Sequence, residues 1–416
     1  MIEQVMKAGT CLSPEMNGAP GGASHSGAMN ICFLNMQIEY YSPVSGGAIA
    51  TIIMEYARNL TSRGHRATVV TIANEDATYD VGNVVPLRPA MRENLGFVQR
   101  RLSGLLQRIH QWDYPHYLYY MKSFTRALRR LSPAPDAVMV FNDFVSARYV
   151  KKVLPGTKVL LGLQNEQRTN LRDKEAAFSY IDLFLPCSGY ISDWTSRTYG
   201  IPQEKLSCVS GGVDLAAFKP RVNYLADSKP LRVLFIGRID PNKGPDIVAD
   251  AVAKLRSEGV PVLLTVAGGL WFYGHGGEMT NPYFRSLKAK MDAASANYTG
   301  HVVRSKVPEL VRNHDVVCVL SRSQEPFGLV VLEAMASGCA VIASDRGGLP
   351  EACGGAAMLV NPDNFEAIVG WLRKLATDRE ALRAAKLKAI ERASSESWSA
   401  KTDLLETALR RVTGIQ

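Results

Sequence analysis

The sequence predicts an α/β protein built from two parallel-sheet domains, and three observations carry that expectation. The 416 residues exceed what one ordinary hydrophobic core organises. Short apolar runs rich in Val, Ile and Leu alternate with helical patterns along most of the chain. A strand, a glycine-bearing loop, a helix and a second strand occur in that order twice, beginning near residue 30 and again near residue 231.

The first 28 residues include "NGAPGGASHSGA" (Asn17 to Ala28). This stretch is small, polar and Gly-rich and has no apolar segment of the kind a signal peptide needs, so it reads as a disordered tail or a non-native remnant. Residues 29–222 form the expected first domain. "MNICFLNMQ" supplies a strand from Asn30 to Asn35, and a loop with Gly46-Gly47 leads into a helix from Ala48 to about Ser62. Ile49, Ile52, Ile53, Tyr56, Ala57 and Leu60 share one face of that helix. Gly64 ends it, and "RATVVTIA" resumes as strand. Asp136 to Asp143, Lys158 to Glu166, Tyr180 to Ser188 and Lys205 to Val213 read as further strands. Residues 223–230 turn polar and read as a linker. The second domain, 231–395, opens with "LRVLFIGRIDPNKG", a helix over "PDIVADAVAKLRSEG" and the strand "PVLLTVAGG"; "HDVVCVLS" and "CAVIASD" follow as strands. Residues 396–416 form a helix patterned on Leu404, Leu405, Ala408 and Val412. Ligands of such folds bind at the carboxyl ends of the strands, and with two domains a cleft between them is the expected place.

Composition narrows the partners. A formal charge of +9 and a pI of about 9.1 suit anionic partners: nucleic acid, an anionic membrane face or phosphorylated substrates. No nucleic-acid recognition motif is found. The 7 cysteines are odd in number, scattered and without a C-x-x-C, which predicts a reduced, cytosolic protein lacking a structural metal. No apolar run reaches the roughly 18–20 residues of a membrane span.

Three constellations can carry chemistry. "GRIDPNKG" (Gly237 to Gly244) follows a buried strand and places Arg238 and Lys243 on a strand-end loop, where a planar donor fork and a mobile cation suit phosphate oxygens; the plainer reading is two solvated cations. "SPVSGGAIAT" (Ser42 to Thr51) sets two glycines before a helix N-terminus, whose free N–H groups favour an anion. This is neither G-x-G-x-x-G nor a P-loop, which disfavours a nicotinamide enzyme or an NTPase. In "SRSQEPFGLVVLEAMASGCAVIASDRGGLPE" (Ser321 to Glu351), Glu325 stands on a loop after a strand, and Glu333 stands about one and a half turns into a helix, flanked by apolar residues. A carboxylate accepts hydrogen bonds from paired hydroxyls such as those of sugars or ribose; an exposed loop acid and a helix-surface acid are the alternative.

These residues bring a family into view. Glu325 and Glu333, with Gly338 and Gly347-Gly348 after them, resemble the signature of family-four retaining glycosyltransferases of the GT-B fold, the glycosyl transferases group 1. "GRIDPNKG" is similar to that family's phosphate-binding motif, "SGGVDLAAF" (Ser210 to Phe218) to its inter-domain segment, and the Gly46-Gly47 loop to its glycine loop. The resemblance runs from about residue 30 to the C-terminus. It implies two Rossmann-like domains facing across a cleft, with an acceptor-binding first domain, a donor-binding second domain and a C-terminal helix around Trp398 crossing back. It further implies that Arg238 and Lys243 hold the diphosphate of a UDP- or GDP-type nucleotide sugar. Glu333 would bind the ribose and Glu325 the donor sugar near the reacting carbon. The amides of Phe327, Gly328 and Leu329 would contact sugar and phosphate, Gly46 and Gly47 the phosphates, and the loop at Val303 and Arg304 the nucleobase. The implied activity is metal-independent transfer of a hexosyl or N-acetylhexosaminyl group with retention, giving an α-linkage and needing no cofactor. No D-x-D metal carrier is present.

One departure stands out. Many relatives carry histidines after the strands that match "DAVMVFND" and "KVLLGLQNE"; here Asn142-Asp143 and Gln164-Asn165-Glu166 occupy those loops. Asn142 and Gln164 are candidates for hydrogen bonds to sugar or acceptor, or are plain strand-end polar residues. Residues 92–133 are basic and aromatic. Leu102, Leu105, Leu106 and Ile109 form one helical stripe, and Met121, Phe124, Leu128 and Leu131 another. Two basic helices could rest on an anionic bilayer beside a lipid-linked acceptor, or pack on the first domain with solvated Arg faces. The expected enzyme therefore works in the cytoplasm, free or peripheral on the inner membrane face, in surface-polysaccharide or lipid-linked glycan assembly. The alternatives are the same chemistry on a soluble acceptor, and a non-catalytic nucleotide-sugar binder.

Overall fold

A computed structural model describes residues 27–37, 39–44, 47–74, 77–88, 101, 105, 117–169, 174–225, 230–270 and 280–416. The chain divides into two compact units, residues 1–210 with 402–416, and residues 211–401. Residues 1–26 of the expected tail, Gly46, the stripe residues Leu102, Leu106 and Ile109, and part of the linker lie outside the described residues.

In the first unit, β1 (Asn30–Leu34), β2 (Arg66–Ile72), β3 (Asn83–Leu87), β4 (Ala137–Phe141), β5 (Lys158–Leu163) and β6 (Leu183–Pro186) form one parallel sheet in the order β3-β2-β1-β4-β5-β6. Cys32 lies opposite Thr68 on one side and Val138 on the other. The central strands are buried on both faces, which is why they read as continuous apolar runs rather than alternating ones. Pro86 is tolerated in β3 because that strand is at the sheet edge. The sequence reading does not name β3.

The expected strand at Lys205 to Val213 is not one. Only isolated bridges form there, Leu206 to Phe184 and Val213 to Ser397. The backbone follows β6 for two bonds, Ser207 N–H to Phe184 C=O at 3.0 Å and Val209 N–H to Pro186 C=O at 2.9 Å. The glycines after it then pack against main chain: a Cβ on Gly212 would lie 2.8 Å from the Trp398 nitrogen.

Helix Ala48–Ser62 lays Ile49, Ile52, Ile53, Tyr56, Ala57 and Leu60 on the core, each large aliphatic side chain contributing about 1.5–3 kcal/mol by burial. Helix Tyr117–Arg129 buries Met121, Phe124 and Leu128. Its apolar stripe thus serves the core, and Lys122, Arg126, Arg129 and Arg130 are left exposed.

The second unit repeats the design. β7 (Leu231–Ile236), β8 (Val262–Ala267), β9 (Asn297–Gly300), β10 (Val316–Val319), β11 (Ala340–Ser344) and β12 (Met358–Val360) form a parallel sheet in the order β12-β11-β10-β7-β8-β9. Counted within its own unit, each sheet has the 3-2-1-4-5-6 order of a doubly wound Rossmann-like fold. The strand order reverses between β1 and β4 in one unit and between β7 and β10 in the other, and crevices at the carboxyl ends of those strands are the natural ligand positions. Short β9 and β12 escape the sequence reading because β9 has a single large apolar residue, Tyr298, and β12 has only three residues.

A buried ionic centre stiffens the second unit. Asp315 is fully buried, accepts from Arg232 Nε at 3.0 Å and Nη2 at 3.1 Å, and accepts from the buried Lys386 Nζ at 2.8 Å. Helix Trp398–Thr413 carries the boundary between the two units. Leu405, Ala408 and Leu409 are buried, and Leu404 is exposed. Within the first unit, Glu406 on this helix pairs with Arg63 at 3.1 Å and Arg410 at 2.8 Å. Among the described residues, no helix is long and apolar enough to cross a membrane.

Candidate functional site

The chemistry-bearing residues of the second unit gather where β7 and β10 end. After β7 the chain passes through Gly237, Arg238 and Asp240 into a short 3-10 turn, Pro241–Lys243, and then through Gly244 into helix Pro245–Ser257. Asp240 caps the turn by accepting from Asn242 N–H at 2.8 Å and holds Arg238 at 3.1 Å. Gly244 has φ +69° and lies so close to the Leu320 carbonyl that a Cβ would come within 2.2 Å of that oxygen. After β10, Ser321 and Glu325 lead through Pro326, the buried Phe327 and Gly328 (φ +94°) into helix Leu329–Ala336.

Lys243 and Glu325, 82 residues apart, meet here. Lys243 Nζ donates to Glu325 Oε1 at 2.8 Å and Oε2 at 2.7 Å, and Ser321 Oγ donates to Oε2 at 2.9 Å. The two side chains are 30% and 14% exposed, so the pair is sheltered yet reachable. The loop carrying Glu325 rests on Gly347-Gly348: Gly348 N–H donates to Glu325 C=O at 2.6 Å, and a Cβ on either glycine would come within 2.2 Å of a main-chain oxygen of that loop. Those glycines are needed because backbone lies directly on backbone.

Glu333 is buried, as its apolar flanks foretell, and pairs with Arg304 Nη2 at 2.5 Å. The Arg304 guanidinium also stands over the Phe218 ring at 5.1 Å. Val303, just before it, is exposed and begins the short turn Arg304–Lys306. Helix Leu329–Ala336 starts at Gly328 without a side-chain cap, and Val331 N–H donates to the Gly328 carbonyl at 2.9 Å.

In the first unit the corresponding strand ends are used differently. Asn142 adopts φ +49°, is buried, and its Oδ1 accepts from Gln164 N–H at 2.8 Å, tying the ends of β4 and β5 together. Gln164 is half-buried and contributes that amide. Asp143 caps helix Phe144–Val153 by accepting from Ser146 N–H at 2.9 Å. At Gly47, the amides that the sequence offers to an anion already hold one: Glu39 Oε1 accepts from Ala50 N–H at 2.8 Å, with Gly47 and Ile49 also donating. Burial pushes the Glu39 carboxyl above its usual range, and the three amides only partly offset that.

Sequence reasoning misses Glu39, Arg304's grip on Glu333, and Arg322. The last donates through Nη1 and Nη2 to Asp246 Oδ1 and Oδ2 at 2.9 and 2.6 Å. Each is a contact between residues whose pairing no local pattern signals.

Residues 46–217 match the family model described as Glycosyltransferase Family 4, and residues 219–392 match the one described as Glycosyl transferases group 1. The chain belongs to glycosyltransferase family 4. Among the curated relatives of this family 4 chain, the D-inositol 3-phosphate glycosyltransferase of Rhodococcus erythropolis is 31% identical over 223 residues, 51% of this chain and 50% of that protein. The matched stretch spans between 46% and 62% of the curated relatives' own lengths. Solved structures share the fold more completely. Sucrose-phosphate synthase of Thermosynechococcus elongatus aligns with a TM-score of 0.71 at 16% identity, covering 93% of this chain and all of that one. Anabaena HepE, solved in complex with UDP and glucose, aligns with a TM-score of 0.66 at 17% identity, covering 92% and 99%. The family 4 chain is therefore a GT-B-type α/β protein, as the sequence predicts.

Proposed function

We propose that this family 4 protein transfers a sugar from a nucleoside-diphosphate sugar to an acceptor hydroxyl with retention of configuration. The observation that carries the reading is the Lys243–Glu325–Ser321 cluster at the β7/β10 crossover, with Glu333 on the helix that starts beside it. A diphosphate needs cations, a sugar and a ribose need acceptors for their hydroxyls, and this arrangement supplies both along one line of chain. Lys243 and Arg238 hold the diphosphate. Glu325 takes sugar hydroxyls near the reacting carbon, and Glu333 takes the ribose hydroxyls. The amides of Phe327, Gly328 and Leu329 face sugar and phosphate, whereas the Gly47 amide already donates to Glu39 and takes no phosphate role. Val303 meets the base. A UDP-sugar is the first donor to try, because Anabaena HepE was solved with UDP-glucose.

In the step itself, the bond between the anomeric carbon and the diphosphate breaks and the acceptor oxygen forms its bond on the same face. The acceptor's proton passes to the departing phosphate oxygen, giving an α-linkage from an α-linked donor. Fixed cations and helix amides aimed at the growing phosphate charge lower the barrier without reorganising. Lys243 and Arg238 supply the charge that a divalent metal provides elsewhere, so the reaction runs without metal or cofactor. Asn142 and Gln164 would border the acceptor side of the first unit.

The acceptor we favour is a glycan or lipid-linked glycan handled at the inner face of the membrane. A groove of about 390 Å³ along β3 and helix Tyr117–Arg129 is lined by Arg88, Arg126, Arg130 and Ser123 over Val85, Leu87 and Ala127, and suits a phosphate with an apolar body. Co-sedimentation with phosphatidylglycerol vesicles, and its loss in neutral ones, tests this; free protein in both would point to a soluble acceptor.

The deciding experiment screens nucleotide sugars for thermal stabilisation and turnover. Lys243→Ala should weaken nucleoside diphosphate binding roughly tenfold to a hundredfold, the worth of a charge-assisted hydrogen bond. Glu325→Gln should cut transfer about a hundredfold at an unchanged melting temperature. Unchanged affinity and near-normal turnover together would remove the proposal, and binding without turnover in the wild type would make the protein a nucleotide-sugar binder.

A further inference from the structure

We infer that Arg322 and Asp246 are positioning residues that set the spacing between Lys243 and Glu325; the inference rests on the donor-holding role proposed above for those two. Lys243 and Glu325 arrive on separate strand-end loops, and a cation and a carboxylate that must address two parts of one donor need those loops in fixed register. Arg322 supplies it. It stands three residues before Glu325, and it brackets Lys243 from both sides. Its backbone N–H donates to Asn242 C=O at 2.8 Å and its Nη1 to Pro241 C=O at 2.5 Å, the two residues that precede Lys243. Its guanidinium then grips both oxygens of Asp246, three residues after Lys243, at 2.9 and 2.6 Å.

Asp246 is itself held by Tyr283, whose hydroxyl donates to Oδ1 at 2.9 Å. Burial would raise the Asp246 carboxyl, but the bonds from Arg322 and Tyr283 more than offset it and hold the group below its usual range. A bidentate fork fixes both distance and plane, which a lysine at the same place could not do. None of these groups makes a hydrogen bond to Glu325 in the structure, so their effect on it passes through the two loops.

The test uses Arg322→Lys, which keeps charge and fold, and Asp246→Asn, which keeps shape. Each should lower kcat at least about tenfold, as misplacement of reacting groups by a fraction of an ångström does, while the thermal midpoint stays within a few degrees. Arg322→Lys should add little to the loss already caused by Lys243→Ala. Wild-type kcat and KM in both variants would overturn the inference, as would loss of stability with unaltered kinetics per folded molecule. A crystal structure of Arg322→Lys decides independently of any donor: the Lys243–Glu325 contact should lengthen or become disordered, and an unmoved pair at 2.7–2.8 Å overturns the inference. Unchanged UDP affinity in Lys243→Ala would instead count against the donor-binding reading, leaving the crystallographic comparison to judge Arg322.

Discussion

The two crossover points of this protein share a topology and differ in what they do with charge. At the β1/β4 end, Glu39, Asn142 and Asp143 spend their hydrogen-bonding capacity on the protein's own amides. At the β7/β10 end, the charged groups meet each other: Lys243 with Glu325, Arg238 with Asp240, Arg322 with Asp246. A carboxylate seated on backbone amides is structural furniture, costly to move because the amides would be left unpaired. The partly exposed Lys243–Glu325 pair is exchangeable, since an incoming phosphate can replace the carboxylate at the lysine, and an incoming hydroxyl the lysine at the carboxylate, while the Arg322–Asp246 fork stays closed. The contrast explains why the same fold can hold a rigid strand-end in one unit and a candidate binding site in the other.

The largest expected break in that contrast comes from one substitution made twice. Gly244→Ala puts a Cβ against the Leu320 carbonyl at a φ of +69°, which should destabilise the second unit by on the order of 3 kcal/mol and abolish nucleotide binding. Gly47→Ala has an ordinary backbone conformation and meets only the tip of the Glu39 side chain. Because that tip is held by three amides, the substitution should cost roughly 1 kcal/mol, less than Gly244→Ala. Thermal melts of both variants check this, and equal losses would show that the first crossover is as tightly built as the second.

Between these in size is an opposite response to acid. Glu39 has a raised folded pKa, so its contribution to stability is present below the ordinary glutamate value of about 4.3 and is lost as pH rises through the folded value. Asp246 has a lowered one, so its contribution is present above the ordinary aspartate value of about 3.9 and is lost as pH falls through the folded value. The stability lead of wild type over Glu39→Gln should therefore shrink with rising pH, and its lead over Asp246→Asn should shrink with falling pH. Melting curves from roughly pH 3 to 7 measure both; slopes of the same sign would erase the distinction between the crossovers.

Much of the fold is legible in the sequence because buried parallel strands are continuous apolar runs and helix Ala48–Ser62 has a clear 3.6-residue face. The run Lys205 to Val213 misleads for the same reason: apolar β-branched residues mark burial, and strand pairing needs a partner as well. At the site, the residues of "GRIDPNKG" and "EPFGLVVLE" are readable, since they are consecutive and follow strands. Their pairing is not, because Lys243 and Glu325 are joined by topology across 82 residues. Glu39 is invisible as a cap because the reading looks for anions outside the chain, and Arg322 looks like any loop cation until Asp246 is seen opposite it.

The glycines at 347 and 348 limit how the site could be altered. Main chain touches main chain there and at Gly244, so these three positions leave no room for a side chain, and a random library would lose most members that alter them. Variation is tolerated on the rim at the exposed Val303, whereas Arg304 holds Glu333 and Arg238 is held by Asp240. Diversity in what the site accepts would therefore be written on exposed rim side chains such as Val303, over a glycine base that natural or laboratory selection can only keep.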